Sequence, residues 1–191
     1  MDKRDDERSC SVRVGLYVIN MSDEIVNKVA NSGLITIDLE EFYPKGERIL
    51  FDLKPLLFHE LILKEKDFRE FIKQHDWSAY HDKMVAITCT ADAVIPTWAY
   101  MLVSIALEPF AKKIVFGNLE TLEAILFGDA LKFIIYSDYQ DKRVVIKGCS
   151  NLPVTTNAYV ELVRGLRPFA KSIMYGEPCS TVPLYKAATI K

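Results

Sequence analysis

At 191 residues, half of them apolar and 26% charged, the chain has the length and composition of one globular domain that needs neither disulfides nor a structural metal to hold its core. A net charge of −2 with no Lys/Arg stripe leaves no electrostatic footprint for a phosphate backbone, so nucleic acid is excluded as an expected partner. No apolar run approaches the roughly 20 residues that span a bilayer, and Met1-Asp2-Lys3-Arg4-Asp5-Asp6-Glu7-Arg8 is charged rather than signal-like. The sequence therefore reads as cytoplasmic, with no membrane partner.

Residues 1–20 carry no period before Val12 to Ile19 and read as a disordered or mis-assigned extension, with Met21 as a candidate start. A short helix is predicted from Ser22, a plausible N-cap, through Ile25, Val26 and Val29 to Asn31-Ser32-Gly33. Two β-rich runs follow, Leu34 to Leu39 and Arg48 to Leu53, separated by the turn Tyr43-Pro44-Lys45-Gly46, and then an amphipathic helix around Asp67 to His75. This third of the chain is expected to pad or extend a main sheet. His75 and His81 bracket a polar loop and read as solvated, and His59 stands apart.

The informative part begins at Asp82. Asp82-Lys83-Met84-Val85-Ala86-Ile87 recurs as Asp141-Lys142-Arg143-Val144-Val145-Ile146, and Leu107-Glu108-Pro109-Phe110-Ala111-Lys112-Lys113-Ile114 recurs as Leu166-Arg167-Pro168-Phe169-Ala170-Lys171-Ser172-Ile173. Both pairs, together with Ala99-Tyr100/Ala158-Tyr159 and Gly117/Gly176, share one spacing of 59 residues, the signature of an internal duplication. Each unit, 82–117 and 141–176, reads as strand, loop, helix, strand: Met84 to Thr88, a helix with Pro96 at its first position, and Ile114 to Phe116; then Arg143 to Lys147, a helix capped by Thr155 or Thr156, and Ser172 to Tyr175. A linking helix from Leu119 to Lys132 joins them. Trp98, Tyr100, Met101, Leu102, Val103 and Ile105 make the first helix apolar nearly all round, which fits a central core helix better than a dimer contact.

Strands alternating with helices, and strands that are continuously apolar, predict an α/β fold: a three-layer, doubly wound, mostly parallel sheet with a duplicated β-α-β unit and an N-terminal strand/helix extension, one domain over 21–186 with a tail of 187–191. Right-handed crossovers favour the order 2-1-3-4 for the four strands of the two units, with a switch point between the first and third.

The four cysteines, Cys10, Cys89, Cys149 and Cys179, include no Cys-x-x-Cys pair. Cys89 and Cys149 follow the first strands of the two units, and Cys179 follows the last strand in Gly176-Glu177-Pro178-Cys179-Ser180-Thr181. In the expected order, Cys89, Cys149 and Cys179 converge at the C-terminal edge of one sheet. Three thiolates with Asp92, Glu177 or a histidine as a fourth ligand would suit zinc or an iron-sulfur cluster. Two other readings stand beside it. Cys89 or Cys179 could be a nucleophile with Asp92 or Glu177 as acid or base, since the helix near Pro96 aims its amides at the Cys89 loop. The cysteines could also be core fillers of a non-catalytic protein-interaction module. No cysteine-phosphatase loop, P-loop or Gly-x-Gly-x-x-Gly occurs, so nucleotide binding is unsupported.

The runs Gly33-Leu34-Ile35-Thr36-Ile37-Asp38-Leu39, Glu65-Lys66-Asp67-Phe68-Arg69-Glu70-Phe71, His75-Asp76-Trp77, Ile95-Pro96-Thr97-Trp98-Ala99-Tyr100, Ile146-Lys147-Gly148-Cys149 and Tyr175-Gly176-Glu177-Pro178-Cys179-Ser180-Thr181-Val182-Pro183 carry a resemblance. Over about Met21 to Lys186 the chain resembles the bacterial family known as domain of unknown function 2480. Residues 1–20 and the tail depart from it, which leaves Cys10 without a family role. The family has no established activity. Its genes lie near iron-sulfur cluster assembly genes in related bacteria, so the resemblance implies iron-sulfur assembly proteins as partners and moves weight toward the metal or cluster reading of Cys89, Cys149 and Cys179.

Overall fold

The computed structural model of the chain describes residues 33–148, 151–177 and 180–188. The 1–20 extension, the helix from Ser22, Cys10, Cys149 and Cys179 lie outside the described residues. In chain order the elements are β1 (Leu34–Ile37), β2 (Arg48–Asp52), α1 (Glu65–Gln74), β3 (Met84–Thr88), α2 (Thr97–Leu107), β4 (Lys113–Phe116), α3 (Leu119–Leu131), β5 (Arg143–Ile146), α4 (Thr156–Leu166), β6 (Ser172–Glu177) and β7 (Ser180–Lys186). The architecture is mixed α/β, with parallel sheets flanked by helices.

The strands form two sheets rather than one, in the orders β1-β5-β6-β7 and β2-β3-β4, so the expected order 2-1-3-4 does not hold. The cause lies in the N-terminal runs, which extend the sheets as expected but do so separately, one in each. β1 pairs parallel with β5 (Ile35 opposite Val144, Ile37 opposite Ile146), and β2 pairs parallel with β3 (Ile49 opposite Val85, Phe51 opposite Ile87). β5 also pairs with β6, and β3 with β4. The first strands of the two units are thus hydrogen-bonded along both edges, and a strand has only two edges, so they cannot be neighbours.

Alternation along each strand decides what covers each face. In β3 every residue from Met84 to Ile87 is buried, as a parallel strand covered on both sides requires. Val85 and Ile87 meet Ala99, Val103 and Leu107 of α2, with Phe68 of α1 and Trp77 closing the cluster, while Met84, Ala86 and Val115 meet Leu122 and Leu126 of α3. From the same helix, Phe127 and Leu131 turn to the other sheet and join Ile37, Val144, Ile146 and the α4 residues Ala158, Leu162 and Leu166. α3 therefore ties the sheets together, and burying its four large side chains contributes on the order of 1.5–3 kcal/mol each. Asn118 caps it, its side-chain oxygen accepting from the Thr121 N–H at 2.9 Å.

α2 differs from the central core helix its composition suggests. It buries one stripe, Ala99, Val103 and Leu107, and leaves Met101 59% and Ile105 68% exposed. It sits in the outer layer with an apolar outward face. Pro96 stands one residue before the helix, at the N-cap rather than the first position.

Positions 59 residues apart behave alike. Asp82 and Asp141 both take φ 58°, a left-handed conformation Asp tolerates, and their N–H groups donate to Phe110 O and Phe169 O at 3.0 Å. Gly117 and Gly176 take φ 138° and 121°, where a Cβ at Gly117 would also strike the Thr121 side chain at 2.8 Å. The Asp-Lys and Gly matches in the sequence mark these two turns.

Candidate functional site

Each sheet ends, on the side where the strands finish, in an aspartate that stitches a loop. Asp38 follows β1 and Asp52 ends β2, in the related runs Ile35-Thr36-Ile37-Asp38-Leu39 and Ile49-Leu50-Phe51-Asp52-Leu53. Asp38 accepts from the Glu40 N–H at 3.0 Å and from Lys147 Nζ at 2.6 Å. The Lys147 hydrogen bond, with smaller help from Glu40, holds the Asp38 carboxyl below its ordinary range against the opposing cost of burial. Lys147 is in turn raised, first by that bond and then by the charge of Asp38, with Glu177 and Glu40 adding to it. Glu40 accepts the N–H groups of Asn151 and Leu152, and the Tyr175 hydroxyl donates to Gly148 O at 3.2 Å. Asn151 and Leu152 are thereby tied to the residues after β1, and Gly148 to β6.

At the other sheet, Asp52 accepts from Lys54 N at 2.9 Å, from Thr90 N at 3.0 Å and from Thr90 Oγ1 at 2.5 Å. Burial pushes its carboxyl up, but the hydrogen bonds from Thr90 and Lys54 prevail and leave it below the ordinary value. Cys89 lies between Thr88 and Thr90, half-buried, and packs against the apolar cluster under α2. Tyr100 stands close by: burial raises its phenol, and Cys89 and Asp52 raise it further. Asp92 is exposed in the following loop.

The predicted ligands thus divide. Cys89 and Asp92 belong to the β2-β3-β4 sheet, whereas Glu177 ends β6 and Gly148, which precedes Cys149, follows β5 of the other. β3 and β5, the strands that precede Cys89 and Cys149 in the sequence, lie in different sheets, so the adjacency expected of these two strands does not hold. Among the described residues no three His, Cys, Asp or Glu side chains form a group that could hold a metal ion. Of the groups described around Cys89, the thiol packs against the apolar cluster and Asp52 accepts from three protein donors. The histidines also depart from expectation in part. His81 is solvated and meets Asp82 at 2.9 Å, but His75 is half-buried among Phe51, Phe71 and Trp77, with Nε2 3.2 Å from the Tyr80 hydroxyl.

Beside Cys89 and Tyr100 opens the feature that sequence reasoning missed: a groove of about 770 Å³ between α2 and β4. Ile95, Thr97, Tyr100, Met101, Ile105 and Phe116 line it with Ser104, and none carries a charge. Thr97, Met101 and Ile105 recur at four-residue spacing and make one wall, and the Tyr100 and Phe116 rings meet edge to face at 4.9 Å as the floor. Phe116 is 67% exposed. The signal was present in the all-round apolarity of α2, which a core placement also explains. Among the described residues no helix is long and apolar enough to cross a membrane.

The family model described as "Protein of unknown function (DUF2480)" matches residues 23–187. No curated protein and no solved structure matches the chain.

Proposed function

We propose that this chain, which belongs to the DUF2480 family and so inherits no described activity, is a non-catalytic interaction module that docks protein through the groove between α2 and β4. The observation that carries this reading is the uncharged groove wall with Met101, Ile105 and Phe116 mostly exposed. Isolated apolar residues on a surface are ordinary, but a contiguous apolar groove is what a docking surface presents. Cys89 supports the same reading, since it packs as a core filler.

The test compares wild-type protein with Ile105→Glu and with a triple variant in which Cys89, Cys149 and Cys179 become serine. Chemical cross-linking and affinity capture, with the bound proteins identified and a tagged second copy of the chain included, should lose a specific partner in Ile105→Glu and keep it in the triple variant. Stoichiometric zinc, or iron with charge-transfer absorption, in anaerobically purified wild type but not in the triple variant would replace docking with metal or cluster handling. A single thiol that alkylates fast at neutral pH would instead favour the thiol-enzyme reading.

A further inference from the structure

Resting on the docking reading, we propose that the partner is a second copy of the chain, joined along the edge of β4 that no described strand covers, about a two-fold axis perpendicular to the sheet. Antiparallel pairing of the two β4 strands would merge both β2-β3-β4 sheets into one.

The other half of the molecule provides the comparison. β6 stands 59 residues on from β4, and the Tyr100–Phe116 ring pair recurs there as Tyr159–Tyr175, edge to face at 5.7 Å. There the outer edge of the strand is filled: β7 pairs antiparallel with β6, with Val182 opposite Tyr175. β4 is the end strand of its sheet and has no described partner beyond β3. The same framework therefore accepts an antiparallel strand at this place, and among the described residues one sheet lacks it.

The edge is also unguarded. Proteins blunt exposed edges with proline or a projecting lysine, and β7 carries Pro183. β4 has no proline, and its Lys113 is drawn onto Asp129 of α3 at 2.6 Å instead of projecting.

The kind of partner follows from what lies on either side of the edge. On the α2 face stand Met101, Ile105 and Phe116, and on the α3 face Phe133, 86% exposed, lines a hollow with Lys112 and Lys113. A single added strand would satisfy the backbone and leave these side chains in water. A partner with helices on both faces of its own sheet covers them, and a second copy brings that arrangement, with α2 beside α2 on one face and α3 beside α3 on the other. The charges agree: two-fold pairing sets the Lys112 end of each β4 against the Glu120 end of the other.

Sedimentation velocity on the full chain, from about 1 to 100 μM, should give a species of twice the chain mass. Met101→Glu with Ile105→Glu should raise the dimer dissociation constant at least about 100-fold by forcing two carboxylates from each copy into the seam, with the circular dichroism spectrum and melting temperature of the monomer unchanged. The backbone amides of Ile114 and Phe116, which alternate with those that donate to β3, should be protected from hydrogen exchange in a concentration-dependent manner in wild type and lose that dependence in the double variant. A monomer throughout, or a dimer indifferent to both substitutions and without concentration-dependent protection of β4, overturns self-pairing. If that monomer still loses a foreign partner on Ile105→Glu, the docking reading survives alone; if the substitutions alter neither mass nor partners, both fall.

Discussion

Two glycines in neighbouring helices make opposite predictions for the same substitution. Gly128 lies inside α3, and a Cβ built there meets nothing within 4 Å. Alanine is favoured over glycine in a helix by about 0.8–1.0 kcal/mol, so Gly128→Ala should stabilise by that amount, roughly 2–4 °C in melting temperature for a chain of this size. Gly165 lies inside α4 and offers the same helical gain, but its Cβ would stand 2.3 Å from Cε1 and Cζ of Tyr136. Tyr136 is half-buried, and burial raises its phenol, so the ring cannot swing into open solvent without loss. Overpacking of this kind costs about 1–3 kcal/mol. The helical term cancels between the variants, so they should differ by about that cost, with Gly165→Ala neutral to about 2 kcal/mol destabilised. In a Tyr136→Ala background the obstacle is gone, and Gly165→Ala should stabilise as Gly128→Ala does. Urea unfolding followed by circular dichroism, extrapolated linearly to water, reads all of these. A Gly165→Ala protein as stable as Gly128→Ala, with Tyr136 in place, would refute the packing of Tyr136 on α4.

Arg48 and Glu123 lock β2 to α3 through bonds of 2.5 and 3.1 Å, with both side chains only 12% exposed. Removing either partner leaves a charge with little water, so Arg48→Met or Glu123→Leu should each cost about 3–5 kcal/mol in urea unfolding, and the double variant should recover most of it. Acid should weaken the molecule through Asp38. Its folded carboxyl lies below the unfolded value of about 3.9, so its contribution is full above that value and is lost as pH falls through the lower, folded one. Urea unfolding between pH 2 and 7 should therefore show a shallower acid decline in Asp38→Asn than in wild type.

Most elements were legible because local signals agreed. The strand Met84 to Thr88 is β3 to the residue, and the linking helix ends within one residue of α3. Thr155 caps α4 with its hydroxyl 3.4 Å from the Ala158 N–H, one of the two caps the sequence offered. The sheet order was not legible, because strand pairing is a non-local choice. Leu34 to Leu39 and Arg48 to Leu53 read as strands but carry nothing in their own composition to say that each would take the inner edge of a different unit. The expected adjacency of the strands before Cys89 and Cys149 rested on that choice, because it left the second edges of β3 and β5 for each other. The antiparallel β7 escaped because Val182-Pro183-Leu184 breaks a strand pattern, and proline is tolerated there only since β7 is an edge.

The cysteines do not coincide at the spacing that relates the two strand-helix-strand units. At the 59-residue spacing Cys89 falls on Gly148, and Cys149 on Thr90. What does recur is the carboxylate after the N-terminal strand, Asp38 in one half and Asp52 in the other, each held ionised by the loop it stitches. Asp52 fixes Thr90, at the start of the loop that leads to Ile95 of the groove wall. Asp52→Ala should then act on docking from outside the groove wall. Its loss removes the acceptor of the Thr90 N–H, whose hydrogen exchange should accelerate, while the amides of Val85 to Ile87 inside β3 stay protected. Partner capture should weaken by less than in Ile105→Glu, because the loop is loosened and the wall itself is intact. Equal exchange at Thr90 in wild type and variant would show that the carboxylate holds no loop, and the groove would have to be shaped by α2 and β4 alone.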